Sequence, residues 1–318
     1  MFRKRQRKQE YMENKIKISD YNGKRSLRFS VKYNSRFIGK SEFHYVGKLR
    51  DELVGLRAAK KASYITTASS SILGNRSNQQ DSFFVTKATA ISPFKLTRTF
   101  AVVCDGMGGL EAGDRASMTA VSMLKLAFDK LPKKKVDIPH FFSEMINYID
   151  CEINNWDDLK TDKGAGTTMV SVIIENRRLY WASVGDSSIF MFQDNTLKKI
   201  TSEHNYKMFL DKLVLNGSIT KSEAEHDPQQ NALLSYLGMG GVVYRDINSK
   251  PYSLRDGDLL VLCSDGVTDT IDEKELSKII SENQNDVVSC CAEIANAVKA
   301  KQLEEQDNAT VVLLQYKE

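Results

Sequence analysis

Short apolar runs separated by longer helical patterns fill the sequence from residue 63 to its end. These runs are rich in β-branched and aromatic residues and lie at 64–68, 82–86, 99–104, 168–174, 179–184, 188–192, 258–263 and 309–316. Their length and composition predict strands, many of them buried on both faces. Helical periodicity occupies 112–131, 139–157, 205–215, 231–237, 272–281 and 285–302. Strand runs interrupted by pairs of helices predict two sheets covered by helices, an α+β or α/β/β/α layered domain.

Charge divides the chain into two parts. Residues 1–62 hold 18 Lys and Arg against six Asp and Glu, whereas residues 63–318 hold 27 basic and 35 acidic residues. An asymmetry of this size is typical of an appended segment with its own role. We therefore predict a basic N-terminal extension over 1–62 and a separate main domain over 63–318.

The extension carries three local patterns and allows three interpretations. Residues 1–18 predict a polar tail, the alternation within 26–47 predicts a hairpin around Asn34-Ser35, and the apolar spacing of 51–62 predicts a short helix. The segment is a solvated extension, a docking module for a protein partner such as a kinase, or a contact for nucleic acid or an anionic membrane. Because no nucleic-acid motif accompanies the charge, we do not expect a nucleic-acid ligand.

Composition excludes several classes of protein. No apolar run approaches the roughly 20 residues that a membrane helix needs, so we predict no membrane span. The basic start lacks the apolar stretch of a secretory signal. The five cysteines are odd in number and form no CxxC pair. We therefore predict reduced thiols and a cytoplasmic protein rather than a disulfide framework or a zinc knuckle.

Aspartates stand at the ends of five of the apolar runs. Asp105 follows 99–104, Asp186 follows 179–184 and Asp265 follows 258–263, while Asp81 and Asp307 stand just before 82–86 and 309–316. A single Asp-Gly is ordinary turn chemistry. Five carboxylates beside buried strand ends require another explanation, because such groups are costly to desolvate unless they are paired or bound to metal.

A cluster of carboxylates at one end of a sheet forms a hard, oxygen-only site. Such a site suits Mg²⁺ or Mn²⁺, and three or more carboxylates can hold two ions that activate a water for hydrolysis. The four histidines show no zinc-hydrolase spacing. Arg76 lies five residues before Asp81, and its guanidinium suits bidentate binding of phosphate.

At this point the sequence resembles the metal-dependent serine/threonine protein phosphatases of type 2C, in their bacterial form. The resemblance runs from about 64 to 316 and rests on eight blocks in family order. They are GNRSNQQDSF (74–83), FAVVCDGMGGLEAGDRAS (100–117), GAGTTMVSVII (164–174), LYWASVGDSSIF (179–190), ITSEHN (200–205), NGSITKSEAEHDPQQNALLSYLG (216–238), LLVLCSDGVTD (259–269) and QDNATVVLL (306–314). It implies a four-layer α/β/β/α sandwich of two mainly antiparallel sheets flanked by helices, with the basic extension added.

The resemblance also implies roles for individual residues. Asp105 would bridge two metal ions, Asp265 and Asp307 would complete the first metal site, and the Gly106 carbonyl would hold the second ion. Asp81 would assist beside that second ion. Asp186, with Asp265, would hold a third and weaker ion, with support from Asp269. Arg76 would grip the substrate phosphate while a hydroxide bridging the metals attacks phosphorus in line. The implied cofactors are two or three Mn²⁺ or Mg²⁺ ions.

Departures from the family pattern leave two competing functions open. Gln80 stands where many members have Glu, which bears on affinity at the second metal, and Met107 stands where animal members have His. The competitors are a phosphatase-like protein that binds phosphopeptides without turnover and a different two-metal phosphohydrolase. The main reading is a phosphoserine and phosphothreonine phosphatase whose partners are phosphoproteins, a serine/threonine kinase or its substrates.

Overall fold

The structure, a computed structural model, describes residues 63–92, 95–108, 112–156 and 165–318, together with two strands nearer the N-terminus. The chain separates into two compact units, Met1–Phe43 and His44–Glu318. In the smaller unit, β1 (Lys15–Tyr21) pairs antiparallel with β2 (Lys24–Ser30), and Lys15 lies opposite Ser30.

Only part of the predicted extension lies within the described residues. The predicted strand arm at 26–30 is present, but it pairs with the strand before it, so residues 15–18 belong to a strand and not to a tail. The alternation of lysine and isoleucine in 15–18 gives that segment a strand pattern of its own. The predicted turn at Asn34-Ser35, the second hairpin arm and the helix over 51–62 lie outside the described residues. The domain boundary near residue 62 stays a prediction.

Two antiparallel sheets form the larger unit. In the described residues the six-stranded sheet has the order β11 (Thr196–Lys199), β10 (Ser188–Gln193), β14 (Leu259–Cys263), β15 (Ala309–Lys317), β3 (Tyr64–Ile72) and β5 (Thr89–Ala90). The seven-stranded sheet has the path β12 (Asp246–Ile247), β9 (Arg178–Val184), β8 (Met169–Glu175), β6 (Arg98–Met107) and β4 (Asp81–Val85). In this second sheet β13 (Tyr252–Ser253) pairs with β9, and β7 (Gly166–Thr167) pairs with β6.

Helices cover the outer face of each sheet. The described helices are α1 (Ala112–Asp129), α2 (Ile138–Asn154), α3 (Lys207–Leu215), α4 (Lys221–Glu225), α5 (Asp265–Thr268), α6 (Glu273–Asn283) and α7 (Val287–Ala300). Phe128 of α1 stacks on Phe100 of β6 at 4.8 Å between ring centroids, which fixes α1 against the seven-stranded sheet. Leu276 of α6 and Ile294 of α7 pack on the six-stranded sheet. No helix among the described residues is long and apolar enough to cross a membrane.

The main core lies between the two sheets. Side chains from both inner faces meet there, among them Val103 and Val172 from one sheet and Leu262 and Leu314 from the other. Every residue of β8 and β14 is buried, as expected for strands with a covered face on each side. The predicted four-layer sandwich is therefore confirmed.

Most of the predicted elements are confirmed, and one is wrong. All eight predicted strands are present, and five of the six predicted helices lie within a few residues of their predicted bounds. The predicted helix over 231–237 is absent. Leu233 there forms an antiparallel bridge with Asn205, and Leu237 forms one with Thr167. Tertiary pairing thus holds these leucines in an extended segment, although their spacing of four residues resembles one face of a helix.

Candidate metal centre

Five strand ends meet at one pole of the larger unit. Asp81 at the start of β4 lies directly opposite Asp105 near the end of β6 in the antiparallel register. Asp186 and Asp265 follow β9 and β14, and Asp307 precedes β15. A cavity of about 310 Å³ opens there, and most of the predicted site residues line it: Arg76, Gln80, Asp105, Gly106, Asp186, Asp265 and Asp307. Asp81 and Asp269 are the two predicted residues outside that lining.

Asp81 lies buried next to the cavity. Its Oδ2 accepts a hydrogen bond from Ser264 Oγ at 2.7 Å, while its Oδ1 is buried without a hydrogen-bond partner. Burial raises the pKa of Asp81 to about 7, and the nearby charges of Asp265 and Asp307 add to the shift. A buried acceptor without a donor is unfavourable, so this oxygen is available to a cation.

The carboxyl groups of Asp105 and Asp265 interact with each other, and each influences the pKa of the other. Burial raises the pKa of both, and the charges of Asp81 and Asp265 raise that of Asp105 further. One proton between two close carboxylates relieves their repulsion, because both cannot ionise side by side at low cost. Asp265 Oδ1 is a second buried oxygen without a hydrogen-bond partner.

Asp186 and Asp269 extend the acidic cluster away from this pair. Burial raises the pKa of Asp186 to about 7, and the charge of Asp265 contributes. Desolvation, again with the charge of Asp265, raises the pKa of Asp269 to about 6, although its side chain is exposed. Asp269 caps the C-terminus of α5, one turn after Asp265. The two aspartates are therefore electrostatically linked to the main cluster through the same neighbour.

Close packing fixes the backbone at Asp105 and Gly106. Thr168 N and Thr167 Oγ1 both donate to the Asp105 carbonyl at 2.8 Å, and Asp105 N donates to Thr168 Oγ1 at 3.0 Å. A Cβ atom on Gly106 would lie 2.0 Å from the Gly113 carbonyl oxygen. Only glycine allows the backbone at 106 to approach the Gly113 carbonyl this closely. The glycine of this Asp-Gly pair is therefore needed for close packing and not for a tight turn.

Arg76 lies at the rim of the cavity. Its Nη2 lies 2.7 Å from Asp307 Oδ2, and both side chains are about half exposed. The loop that carries Arg76 is held by a bond from Asn75 N to the Gln306 carbonyl at 2.8 Å. Next to it, Gln80 N donates to Asn308 Oδ1 at 2.7 Å. Arg76 is thus fixed at its backbone, with a guanidinium that faces both solvent and the acidic cluster.

The donor set fits hard divalent cations. It consists of carboxylates and a backbone carbonyl, it includes two buried oxygens without hydrogen-bond partners, and its members raise one another's pKa. A divalent cation would give the two buried oxygens a partner and would offset the repulsion between the carboxylates. In this arrangement Asp307 contacts Arg76, Asp81 contacts Ser264, and Asp105 contacts Asp265. No group of three or more His, Cys, Asp or Glu side chains in the described residues has the geometry of a preformed metal site.

Several residues that shape the cavity have no role predicted from the sequence. Thr168, Asn231, Leu233 and Asn308 line it, and Ser264 bonds to Asp81 beside it. Thr167 and Thr168 lie in the recognised block 164–174. The two polar, β-branched residues directly after Gly166 could have marked them as candidates. Asn231 and Leu233 also lie in a recognised block, 216–238, but the predicted helix over 231–237 gave them the wrong local structure.

Comparisons with known proteins find similar sequences and folds in one family. The family model described as protein phosphatase 2C matches residues 65–207. The serine/threonine phosphatase stp of Listeria welshimeri is 32% identical over 224 residues, which is 70% of this chain and 86% of that protein. The crystal structure of the Mycobacterium tuberculosis serine/threonine phosphatase PstP/Ppp aligns with a TM-score of 0.64 and 25% identity, and covers 80% of this chain and 100% of that one.

A further solved structure is similar in fold. It is the catalytic domain of the serine/threonine protein phosphatase PstP in complex with two manganese ions. It aligns with a TM-score of 0.62 and 24% identity, over 80% of this chain and all of that chain.

Proposed function

This chain belongs to the protein phosphatase 2C family and is a metal-dependent protein-serine/threonine phosphatase, and we propose that the aspartates at its strand ends form the catalytic metal centre. One observation carries the proposal. Aspartates from four separate strand ends line one cavity, Asp81 lies buried next to it, and two buried oxygens of this cluster have no hydrogen-bond partner. No observation favours a binding protein without turnover or a phosphohydrolase of another class.

Asp105, Asp265, Asp307 and the Gly106 carbonyl would hold two ions, while Asp186, with Asp265, would hold a third. Mn²⁺ or Mg²⁺ supplies an activated water and neutralises charge that develops on the phosphoryl oxygens. Two manganese ions in the structure of PstP support the choice of metal. Gln80, in the lining of the cavity, and Asp81 and Asp269, outside that lining, would support the ligands.

Arg76 would bind the phosphoryl group of the substrate. Its guanidinium can donate two parallel hydrogen bonds to phosphate oxygens. Because Nη2 now contacts Asp307, binding of substrate requires that contact to open or to be shared. The half-exposed position of Arg76 allows a peptide to approach from solvent.

The two cysteines next to the acidic cluster are unsuited to a covalent mechanism. Cys104 directly precedes Asp105 in β6, Cys263 ends β14, and both are fully buried. Burial raises the pKa of both thiols, to about 12 for Cys263. A thiol attacks as its thiolate, so neither residue is a nucleophile near neutral pH. Catalysis in this cavity therefore depends on the acidic cluster and Arg76.

The substrates would be phosphoproteins, namely a serine/threonine kinase or the proteins that such a kinase phosphorylates. The names of the relatives support this class of substrate. We place the protein in the cytoplasm, and we assign to residues 1–62 the docking of a protein partner. Their charge of 18 basic against six acidic residues suits a partner with an acidic surface.

The test is hydrolysis of a phosphothreonine peptide with Mn²⁺ or with EDTA. We expect the wild type to hydrolyse the peptide only with metal. The rate should fall at least about 100-fold in Asp105→Ala and in Asp265→Ala, because each substitution removes a proposed metal ligand. Asp211→Asn is the matched control, since Asp211 is an exposed carboxylate on α3 away from the cavity. It should retain wild-type activity.

Two results would redirect the assignment. A wild type that binds Mn²⁺ and does not hydrolyse the peptide would indicate a phosphopeptide-binding protein. Faster hydrolysis of a small nucleotide than of the peptide would indicate a phosphohydrolase of another class.

A further inference from the structure

A buried carboxylate lies outside the acidic cluster, on the outer helix α2. Asp150 is 6% exposed. Its Oδ1 accepts two backbone hydrogen bonds, from Gly238 N at 2.8 Å and from Gly240 N at 3.1 Å. A buried carboxylate that receives backbone N–H groups holds the segment that supplies them, because removing it would leave both donors unsatisfied.

The segment that Asp150 holds is close to the cavity wall. Gly238 and Gly240 have φ of +106° and +82°, which favour glycine, and a Cβ on Gly238 would lie 2.5 Å from the Ala165 carbonyl oxygen. The segment therefore lies tightly against the start of β7. One turn earlier on α2, Asn147 Oδ1 accepts a hydrogen bond from Arg245 Nη1 at 2.7 Å. The helix thus contacts the chain again at Arg245, beyond the Gly238–Gly240 segment.

Hydrogen bonds connect this segment to the metal ligands. Leu237 exchanges two backbone bonds with Thr167, at 2.9 and 3.0 Å. Thr167 in turn lies opposite Gly106 in the pairing of β7 with β6, and its Oγ1 donates to the Asp105 carbonyl at 2.8 Å. Asp150 is thereby connected to Asp105 and Gly106 through one loop and one threonine.

We propose that Asp150 is a positioning residue for the metal centre, which fixes the Asp105–Gly106 backbone through the Gly238–Gly240 segment and Thr167. This inference rests on the proposed function, because Asp105 and the Gly106 carbonyl are the ligands in question. The proposed effect of Asp150 comes from its hydrogen-bond acceptor Oδ1 and not from its charge, since Gly238 N and Gly240 N both donate to that oxygen. Loss of the acceptor frees the segment, loosens the Leu237–Thr167 pair and lets the Gly106 carbonyl move.

The test measures Mn²⁺ binding by isothermal titration calorimetry on the full chain, without substrate. Asp150→Ala removes the acceptor, and we expect its Mn²⁺ affinity to fall about 10-fold, as for other residues that orient metal ligands. Asp150→Asn retains an oxygen acceptor at the same position, and we expect its affinity to stay within about threefold of wild type.

A matched control separates positioning from general stability. Asp258 is also a buried carboxylate, and it accepts hydrogen bonds from Arg255 N and Gln193 Nε2. It lies at the opposite end of β14 from Asp265. Asp258→Ala should lower the melting temperature and leave Mn²⁺ affinity unchanged. Thr167→Val provides a variant of nearly the same volume should Asp150→Ala fail to fold. It removes the bond to the Asp105 carbonyl and should also weaken Mn²⁺ binding.

Several outcomes would overturn the inference. One is an Asp150→Ala protein that melts lower but binds Mn²⁺ like wild type. Another is an Asp150→Asn protein as impaired as Asp150→Ala, which would assign the effect to charge. Unchanged affinity in Thr167→Val would refute the proposed connection. A wild type that binds no Mn²⁺ would overturn both this inference and the metal centre, whereas normal wild-type binding with unaffected variants would overturn this inference alone.

Discussion

Replacing Asp81 by asparagine should stabilise the metal-free protein while it weakens metal binding. Asp81 has a pKa of about 7 in the folded protein against 3.8 for an ordinary aspartate. A group whose folded pKa is raised binds more protons folded than unfolded between those two values, so its contribution to stability is lost as pH rises through 7. At pH 8 the folded chain therefore holds an ionised Asp81 at a cost that the unfolded chain does not bear.

The shift sets the size of the effect. Roughly three pKa units at about 1.4 kcal/mol each give an upper limit of about 4 kcal/mol at pH 8. Asparagine carries no charge and can still accept the Ser264 hydrogen bond, so Asp81→Asn should recover much of that free energy. For a unit of this size the melting temperature should rise by about 4 °C or more. At pH 5 the wild-type carboxyl is protonated when folded, and the gain should fall to roughly a third.

Calorimetric melting in EDTA at pH 8 and pH 5 measures this effect on the full chain. Asp211→Asn removes an exposed carboxylate and should leave the melting temperature unchanged at both pH values. Added Mn²⁺ should raise the melting temperature of Asp81→Asn less than that of wild type. An Asp81→Asn protein that melts lower than wild type at pH 8, or that gains equally at both pH values, would refute the electrostatic account of the cluster.

Three further predictions address the cluster, the cavity rim and the opposite end of the sheet. Mn²⁺ should raise the wild-type melting temperature more at pH 8 than at pH 5.5, because protons on Asp81 and Asp186 compete with metal below pH 7; an equal rise at both pH values would contradict this. Arg76→Ala should raise KM for a phosphothreonine peptide about 10-fold with a smaller change in kcat, by steady-state kinetics, and a fall in kcat alone would count against phosphate binding. Arg98→Met should destabilise the protein by about 3–5 kcal/mol in urea unfolding, because it leaves Glu175, 3% exposed and 2.9 Å away, as an unpaired buried charge. The double variant with Glu175→Gln should recover part of that loss, and no recovery would assign the loss to packing.

Local sequence predicted the strands well because the signal is local. Runs such as 259–263 are apolar throughout, and burial on both faces requires no knowledge of the partner strand. The segment 231–237 shows where this fails. Leu233 and Leu237 are extended because Asn205 and Thr167 pair with them, and those partners are distant in sequence. Periodicity within seven residues contains no information about such pairing.

The candidate site was partly readable for the same reason. Aspartates next to buried runs stand out in the sequence, since an unpaired carboxylate is rarely tolerated there. The supporting residues do not stand out. Asp150 is one acidic residue on an amphipathic helix, and its importance comes from Gly238 N and Gly240 N, which lie some 90 residues later in the chain.

The sequence by itself determined which segments are strands, which carboxylates are candidates for metal ligands, and the family resemblance. These properties follow from residue type and spacing within a few residues. Only the tertiary structure decided that Asp81 lies opposite Asp105, that the Asp105 and Asp265 carboxyl groups interact, and that Arg76 contacts Asp307. Strand order and register set those distances, and both arise from packing two sheets face to face, a property of the whole chain and of no single segment.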